Sequence, residues 1–242
     1  MDSGYYAAYT ALLSRTEALD TVANNLANAS TTGYRAQRNV FSSVLSQAQG
    51  SSLDQTINNY GTLSGTTLDQ TQGALLKTGN DLDVAIEGPG YLAVQTTGGT
   101  MYTRNGSLQI SSRGQLVTAA GDAVLGDRGA ISLPPGTVSI SENGTISSSG
   151  AIAGKLKIVE FKDGTALTSA GQTYYSAPAN SEIAATKSGL RQGMLESSNV
   201  NPVSSMVELI TAQRSAEMMQ RALSTFHSEM DKIAAQELPK VG

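Results

Sequence analysis

The 242-residue chain contains no cysteine, which excludes disulfides, thiolate metal sites and a cysteine nucleophile. Its one histidine, His227, excludes a histidine metal cluster and leaves a single candidate for any histidine-dependent triad. Charge is scarce: 15% of residues are charged, against roughly 25% in ordinary globular chains. A net charge of −4 is the wrong sign for a nucleic-acid-binding surface, which needs many Lys and Arg facing phosphates. No run of 18 apolar residues occurs, so no helical membrane span is expected. The opening Met1-Asp2-Ser3-Gly4 lacks the basic start of a signal peptide, and Arg15 and Glu17 interrupt the apolar stretch after it, so export would need another route.

Hydrophobic residues are also few, at 39%, and the deficit is filled by 25 glycines, 29 serines and 24 threonines. This is the composition of a turn-rich β body, not of a disordered chain, which wants high net charge. The glycines are distributed unevenly. Of the 25, 21 lie between Gly61 and Gly193, leaving both ends of the chain nearly free of them.

The ends read as helices. Tyr5, Tyr9, Leu12, Thr16, Leu19, Ala23 and Leu26 recur at alternating spacings of four and three, the pattern of a helix with a narrow seam for a partner helix. Asp2 or Ser3 can cap that helix, it should run to about Asn28 over ~36 Å, and Ser30-Thr31-Thr32-Gly33 stops it. At the other end, Leu209, Ala212, Ala216, Met219, Leu223, Phe226, Met230 and Ile233 alternate three and four. Asn201-Pro202 is its start signal, Ser205 with Glu208 a second, and it should end near Gln236. A seam two residues wide per heptad is narrower than the face globular packing usually wants, so both helices are expected to order fully on self-assembly.

The middle is β. Leu82, Val84 and Ile86 alternate with Asp83, Ala85 and Glu87, predicting a strand with one buried face, and Gly88-Pro89-Gly90 turns it. Asn105-Gly106 and Asn143-Gly144 predict type I′ hairpins, and Asp163-Gly164 a further turn. Regular turns without helical periods mean an antiparallel sheet or barrel. The fold class is therefore α+β: a discontinuous helical domain of coiled-coil-type terminal helices plus a central antiparallel all-β domain. The boundaries are 1–38 for the N-terminal helix and its signature, 39–72 for an extended Ser/Gln/Thr-rich connector, 73–189 for the β domain and 190–242 for the C-terminal helix.

Nothing in this pattern makes an enzyme. Gly88-Pro89-Gly90-Tyr91-Leu92-Ala93 fits G-x-G-x-x-[GA], but Gly98-Gly99 leaves no room for the helix a dinucleotide site needs, and no acid occurs near Ile110. A turn explains it better. His227 has no nucleophile motif to serve, Asp81 and Asp83 read as solvated strand-edge charges, and the Asn-x-Ser/Thr sequons coincide largely with turns. No catalytic, cofactor-binding or metal-binding residue is assigned, and no small-molecule substrate is expected.

Three blocks carry a resemblance. Ala23-Asn24-Asn25-Leu26-Ala27-Asn28-Ala29-Ser30-Thr31-Thr32-Gly33-Tyr34-Arg35 meets every fixed position of A-N-N-[LI]-A-N-x-x-T-x-G-[YF]-[KR], the N-terminal signature of the bacterial flagellar rod and hook proteins. The run from Leu76 to Tyr91, continuing to Tyr102-Thr103-Arg104-Asn105-Gly106, is similar to the opening of that family's β domain. Gly193-Met194-Leu195-Glu196-Ser197-Ser198-Asn199-Val200, with Glu208-Leu209-Ile210 and Gln213-Arg214, resembles its C-terminal block. The length and single β domain resemble the proximal-rod branch; the distal-rod branch, with an extra segment after the signature, is the near alternative, and the hook protein needs a further outer domain.

The resemblance implies a structural subunit of the basal-body rod, passed through the flagellar export apparatus without a cleaved signal and polymerised in the periplasm with copies of itself and other rod proteins. Its subunit-interface residues would be Tyr5, Tyr9, Leu12, Leu19, Asn24, Asn25, Leu26, Asn28, Leu209, Ala212, Ala216, Met219, Leu223, Phe226, Met230 and Ile233. The asparagines would fix register, and Thr32, Gly33 and Tyr34 would form the motif turn. One departure is Ala216, after Gln213-Arg214-Ser215, where the family often has an aromatic. The alternatives from other classes are a self-contained ligand-binding β domain and an adhesin.

Overall fold

A computed structural model describes residues 2–43, 61–162, 164–171 and 173–237. The chain divides into two compact units, one formed by Met1–Leu26, Arg38–Thr66 and Asn201–Gly242, the other by Ala27–Gln37 and Thr67–Val200.

The first unit holds both long helices, α1 (Asp2–Ala27) and α2 (Pro202–Glu237). The start of α2 comes from cap chemistry: Asn201 Oδ1 accepts from the amides of Val203 at 3.0 Å and Ser204 at 3.2 Å, satisfying two of the orphan donors of the first turn. Ser205, the alternative start, lies inside the helix and is buried. The stretch expected to be a connector holds two strands, β1 (Gln37–Ser43) and β2 (Gly61–Leu68), which pair as a two-stranded sheet. Val44, Leu45, Leu53 and Ile57 of that stretch lie outside the described residues.

The second unit is built from short strands: β3 (Leu75–Lys77), β4 (Val84–Glu87), β5 (Tyr91–Thr96), β6 (Gly99–Thr103), β7 (Leu108–Ile110), β8 (Leu116–Thr118), β9 (Ala123–Gly126), β10 (Gly129–Ala130), β11 (Val138–Ile140) and β12 (Thr145–Ser148). They continue with β13 (Ala151–Lys155), β14 (Ile158–Phe161), β15 (Thr168–Ser169), β16 (Tyr174–Ser176), β17 (Glu182–Ala184), β18 (Gly189–Gln192) and β19 (Met194–Glu196). The largest sheet runs β15-β16-β6-β5-β9-β8-β7, with β14 also on β5, β17 on β14 and β10 on β9. A three-stranded sheet β11-β12-β13 and the ribbons β18-β4 and β19-β3 complete it, and the strand pairs are antiparallel, as expected.

β5 lies at the centre because both of its faces are apolar. Leu92 and Val94 enter a core with Ile86, Leu108, Val124 and Ile146, while Tyr91 and Ala93 enter a second, aromatic core with Tyr102, Val159 and Tyr175. In the aromatic core Tyr91 packs edge-on against Phe161 and Tyr175, the rings 5.6 and 5.8 Å apart, a geometry that adds to simple burial.

The structure departs from several local expectations. β4 does not alternate: Asp83, Val84, Ala85 and Ile86 are all buried, because β18 closes its edge and packing covers both faces. Asp83 is accordingly not a solvated charge; its Oδ1 accepts from Asn80 Nδ2 at 3.0 Å. Gly88-Pro89-Gly90 joins β4 and β5, which belong to different sheets, so it is a corner and not a hairpin turn. Asn105-Gly106 is no hairpin either. β6 pairs with β5 and β16, β7 pairs with β8, and glycine is needed at 106 because a Cβ there would lie 1.7 Å from the Val84 carbonyl oxygen. Asn143-Gly144 does sit in a hairpin, but with a type I turn followed by a left-handed glycine: Gly144 donates to Ser141 O and Ser141 to Thr145 O, with φ of +87° at Gly144. The tight two-residue turn of type I′ character falls instead at Ser149-Gly150, where φ is +49° and +84° between the paired residues Ser148 and Ala151.

Division by compactness also places Ala27–Gln37 and the segment before Asn201 with the β unit, where the sequence boundaries 1–38 and 190–242 put them with the helices. The reason is that β18, β19 and the signature turn are bonded into the β body.

Candidate functional site

Along α1 the buried positions are Ser14, Thr21 and Asn25, with Ala11, Ala18 and Val22 half-buried beside them. These recur at spacings of three and four on the side nearly opposite the row read from the apolar residues. Of that row, Leu12, Leu19 and Leu26 are half-buried, while Tyr9, Thr16 and Ala23 are exposed, as is Leu13 beside them. The buried row is polar because it is bonded: Thr21 Oγ1 donates to Glu17 O and to Asn39 Oδ1 of β1, both at 2.9 Å.

Along α2 the expected row is the inward one. Ala216 is buried with Ser205, and Leu209, Ala212, Met219 and Leu223 are half-buried. The opposite side was not anticipated. Val203, Met206, Val207 and Ile210 are all more than half exposed on that side, so the first turns of α2 are apolar on two opposed faces. Within the same unit a shallow groove of about 270 Å³ brings Arg15 and Ala18 of α1 beside Val207, Thr211, Ala212 and Ser215 of α2. Small residues on both walls allow the helices to approach closely. The side chains of Tyr5, Phe226, Met230 and Ile233 lie outside the described residues.

The three asparagines behave differently. Asn25 is buried, Asn24 is exposed and donates back to Asp20 O in its own helix, and Asn28 accepts from Thr31 Oγ1 at 3.2 Å in the turn. In that turn Gly33 has a φ of +70° and stands where a Cβ would lie 2.4 Å from the Asn105 amide nitrogen, so both backbone shape and space require glycine. Tyr34 is buried beside it, which raises its hydroxyl pKa, and Thr32 is half-buried.

From this turn the chain delivers Arg35 to the centre of the β unit. Arg35, Arg104 and Glu196 are each 1% exposed. Glu196 holds Arg35 Nη2 at 2.8 Å through one oxygen and Arg104 Nη1 at 3.0 Å through the other. The first oxygen also accepts from the Gly73 amide at 2.9 Å, and the Glu196 carbonyl accepts from the Gly33 amide at 2.8 Å. Arg104 donates to the Gly88 carbonyl and lies over the Tyr91 ring, 4.9 Å from its centroid. The Tyr175 hydroxyl accepts from the Arg35 amide at 2.9 Å. Burial, and then the neighbouring Arg35 charge, pull the Arg104 pKa below its usual value; burial pushes the Tyr175 hydroxyl up.

Each member of this triad comes from a different motif block: Arg35 from the N-terminal signature, Arg104 from the opening of the β domain, Glu196 from the C-terminal block. Family comparison matches the same three regions. The model described as "Flagella basal body rod protein" matches residues 6–35, "Flagellar hook protein FlgE/F/G D1 domain" residues 85–148, and "Flagellar basal body rod FlgEFG protein C-terminal" residues 191–236. The flagellar basal-body rod protein FlgF of Caulobacter vibrioides is 33% identical over 249 residues, covering 100% of both chains. FlgF of Escherichia coli is 36% identical, with 91% of this chain and 93% of the relative covered. FlgG of Bacillus subtilis is 33% identical, covering 86% and 88%. The chain belongs to the flagellar basal-body rod protein family.

Within that family it is FlgF-like. Sequence reading missed the triad of this rod-family protein because its members are far apart, Arg104 and Glu196 by 92 positions. The one available signal was that each is a charged residue inside a motif block, Arg35 and Glu196 being the only charged residues of the runs 23–35 and 193–200, in a chain where charge is rare.

Proposed function

We propose that the chain is a structural subunit of the proximal rod, polymerising through its terminal helices into a hollow shaft and joining copies of itself and other rod proteins. The observation that carries this is the outward apolar face on each helix: Tyr9 and Leu13 on α1, and Val203, Met206, Val207 and Ile210 on α2. Each helix already uses its other side within the chain, so these residues have water against them until a second copy arrives. Burying four such side chains of α2 on a neighbouring helix stabilises contact by several kcal/mol, at about 1.5–3 kcal/mol per fully buried side chain. If the α2 face of one copy receives the α1 face of the next, the contact is heterologous and does not close, which produces an open filament. In the assembled shaft the helices would take up coiled-coil packing, with Asn25 fixing register. The remaining positions of the rows from Tyr5 to Asn28 and from Leu209 to Ile233 would share that interface. The unit that holds α1 and α2 would form the helical core of the shaft. Delivery to the periplasm would run through the flagellar export apparatus, without a cleaved signal peptide.

The test is the double substitution Met206→Asp with Ile210→Asp, placed on the exposed side so that the chain's own packing is spared. Monomer melting should change by no more than about 0.5 kcal/mol, while polymerisation in vitro and complementation of motility are lost. A variant that polymerises and supports motility like the unaltered chain overturns the reading.

A further inference from the structure

We propose that the β unit binds one small monovalent anion, a halide such as chloride, against the guanidinium groups of Arg35 and Arg104. Two arginines and one glutamate, each 1% exposed, give this cluster by itself a net charge of +1, while the unit's other buried carboxylates, Asp83 and Glu160, have partners of their own, Asp83 accepting from Asn80. Arginine cannot escape by deprotonation, and a buried charge without a partner is costly.

Donor bookkeeping points the same way. Arg104 places Nη1 on Glu196, Nη2 on the Gly88 carbonyl and its face on Tyr91, leaving Nε without an acceptor. For Arg35 the contact with Glu196 is an ion pair without hydrogen-bond alignment, and Nε, Nη1 and Nη2 have no acceptor among the described residues. The nearby acceptors are already engaged. Glu196 Oε1 takes the Gly73 amide, Oε2 takes Arg104, and the Tyr175 hydroxyl takes the Arg35 amide. Glu160, a further buried carboxylate of the unit, accepts from the Lys187 amide and Ser188 Oγ, both at 2.8 Å. Several buried N–H groups of the two arginines thus have no protein oxygen among the described residues to receive them, a condition native interiors resolve with water or an ion.

Water would satisfy the donors and leave the charge. A single anion satisfies both. It should be monovalent, because a divalent sulfate or phosphate would reverse the imbalance and cost more to dehydrate. It should also be small and simple, because arginine nitrogens alone supply the donors.

Crystals of the full chain grown in bromide should show an anomalous peak in contact with Arg35. In solution, melting followed by tyrosine near-ultraviolet dichroism should distinguish chloride from gluconate at constant ionic strength. Above saturation, each tenfold rise in chloride adds about 1.4 kcal/mol, or about 3–6 °C in Tm. Arg35→Met removes the excess charge and should abolish that dependence. If that variant fails to fold, the unaltered chain in the two salts and the bromide crystals still decide. Equal melting in chloride and gluconate, or a site that refines as water with no bromide signal, overturns the proposal.

Discussion

Replacing Glu196 by glutamine should destabilise the β unit more than any exposed substitution in the chain. Gln keeps the shape and an oxygen for the Gly73 amide, so the perturbation is confined to the charge. Glu196 is the carboxylate within salt-bridge distance of both Arg35 and Arg104, and all three side chains are buried. Removing one partner of a buried ion pair costs about 3–5 kcal/mol, because the other charge stays behind. Here two charges stay behind, so the upper end applies. Against a total stability of about 5–15 kcal/mol, this is a third or more of what holds a domain together. It corresponds to a fall of about 10–20 °C in Tm for a unit of this size. The five buried tyrosines of the β unit (Tyr34, Tyr91, Tyr102, Tyr174 and Tyr175) make near-ultraviolet dichroism a direct reporter of this unit. Helix dichroism at longer far-ultraviolet wavelengths tracks α1 and α2 separately. The triple variant Glu196→Leu, Arg35→Met, Arg104→Met removes all three charges and should recover at least half of the loss. A shift below about 1 kcal/mol for Glu196→Gln, or no recovery in the triple variant, would refute the view that this carboxylate anchors the unit.

Two further perturbations act on the β unit. Gly106→Ala pushes a methyl onto the carbonyl of the fully buried Val84 in β4, so chemical denaturation should show a loss of about 3 kcal/mol or more, and an unchanged midpoint would mean β4 is free to move aside. Glu182 accepts from the Tyr102 hydroxyl and from Lys157 Nζ, and these bonds, Tyr102 first, hold its pKa below the ordinary 4.5. A depressed carboxylate contributes its stability above the unfolded pKa and loses it as pH falls through the lower folded value. Being about one-third exposed, it contributes no more than about 1 kcal/mol. Melting from pH 6 down to pH 3 should therefore show Glu182→Gln losing the acid-dependent part of stability while already weaker at pH 6; parallel curves for the two proteins would exclude the effect.

What could be read from the sequence was what local chemistry decides. Asn201-Pro202 marks the start of α2 because the cap needs only an asparagine side chain and the next few amides. Gly33 marks the end of the signature because its conformation suits few other residues. The glycine-punctuated middle is antiparallel β for the same reason. Failures came where a distant segment sets the requirement. Asn105-Gly106 carries a strong hairpin signal, yet its glycine answers to the passage of β4 overhead. Asp83 has a charged side chain and an edge-like position, yet β18, more than a hundred residues later, closes that edge and buries it.

On α1, apolar periodicity located a real row, but not the row that packs within the chain. The row containing Leu12, Leu19 and Leu26 is only half-covered within the chain, while Ser14, Thr21 and Asn25 take the inside. A helix meant only for its own protein would reverse that arrangement, putting leucine inward for burial and hydroxyls outward for water. Small polar residues inside give modest cohesion, through bonds such as that from Thr21 to Asn39, and permit close approach. The larger apolar residues are thereby left to contacts outside the chain. The start of α2 differs in that its inward side also carries Leu209 and Ala212 beside Ser205, yet Val203, Met206, Val207 and Ile210 still face out. Each helix thus keeps large apolar side chains on an outward side, so part of the free energy of ordering these ends comes from association and not from folding of the single chain.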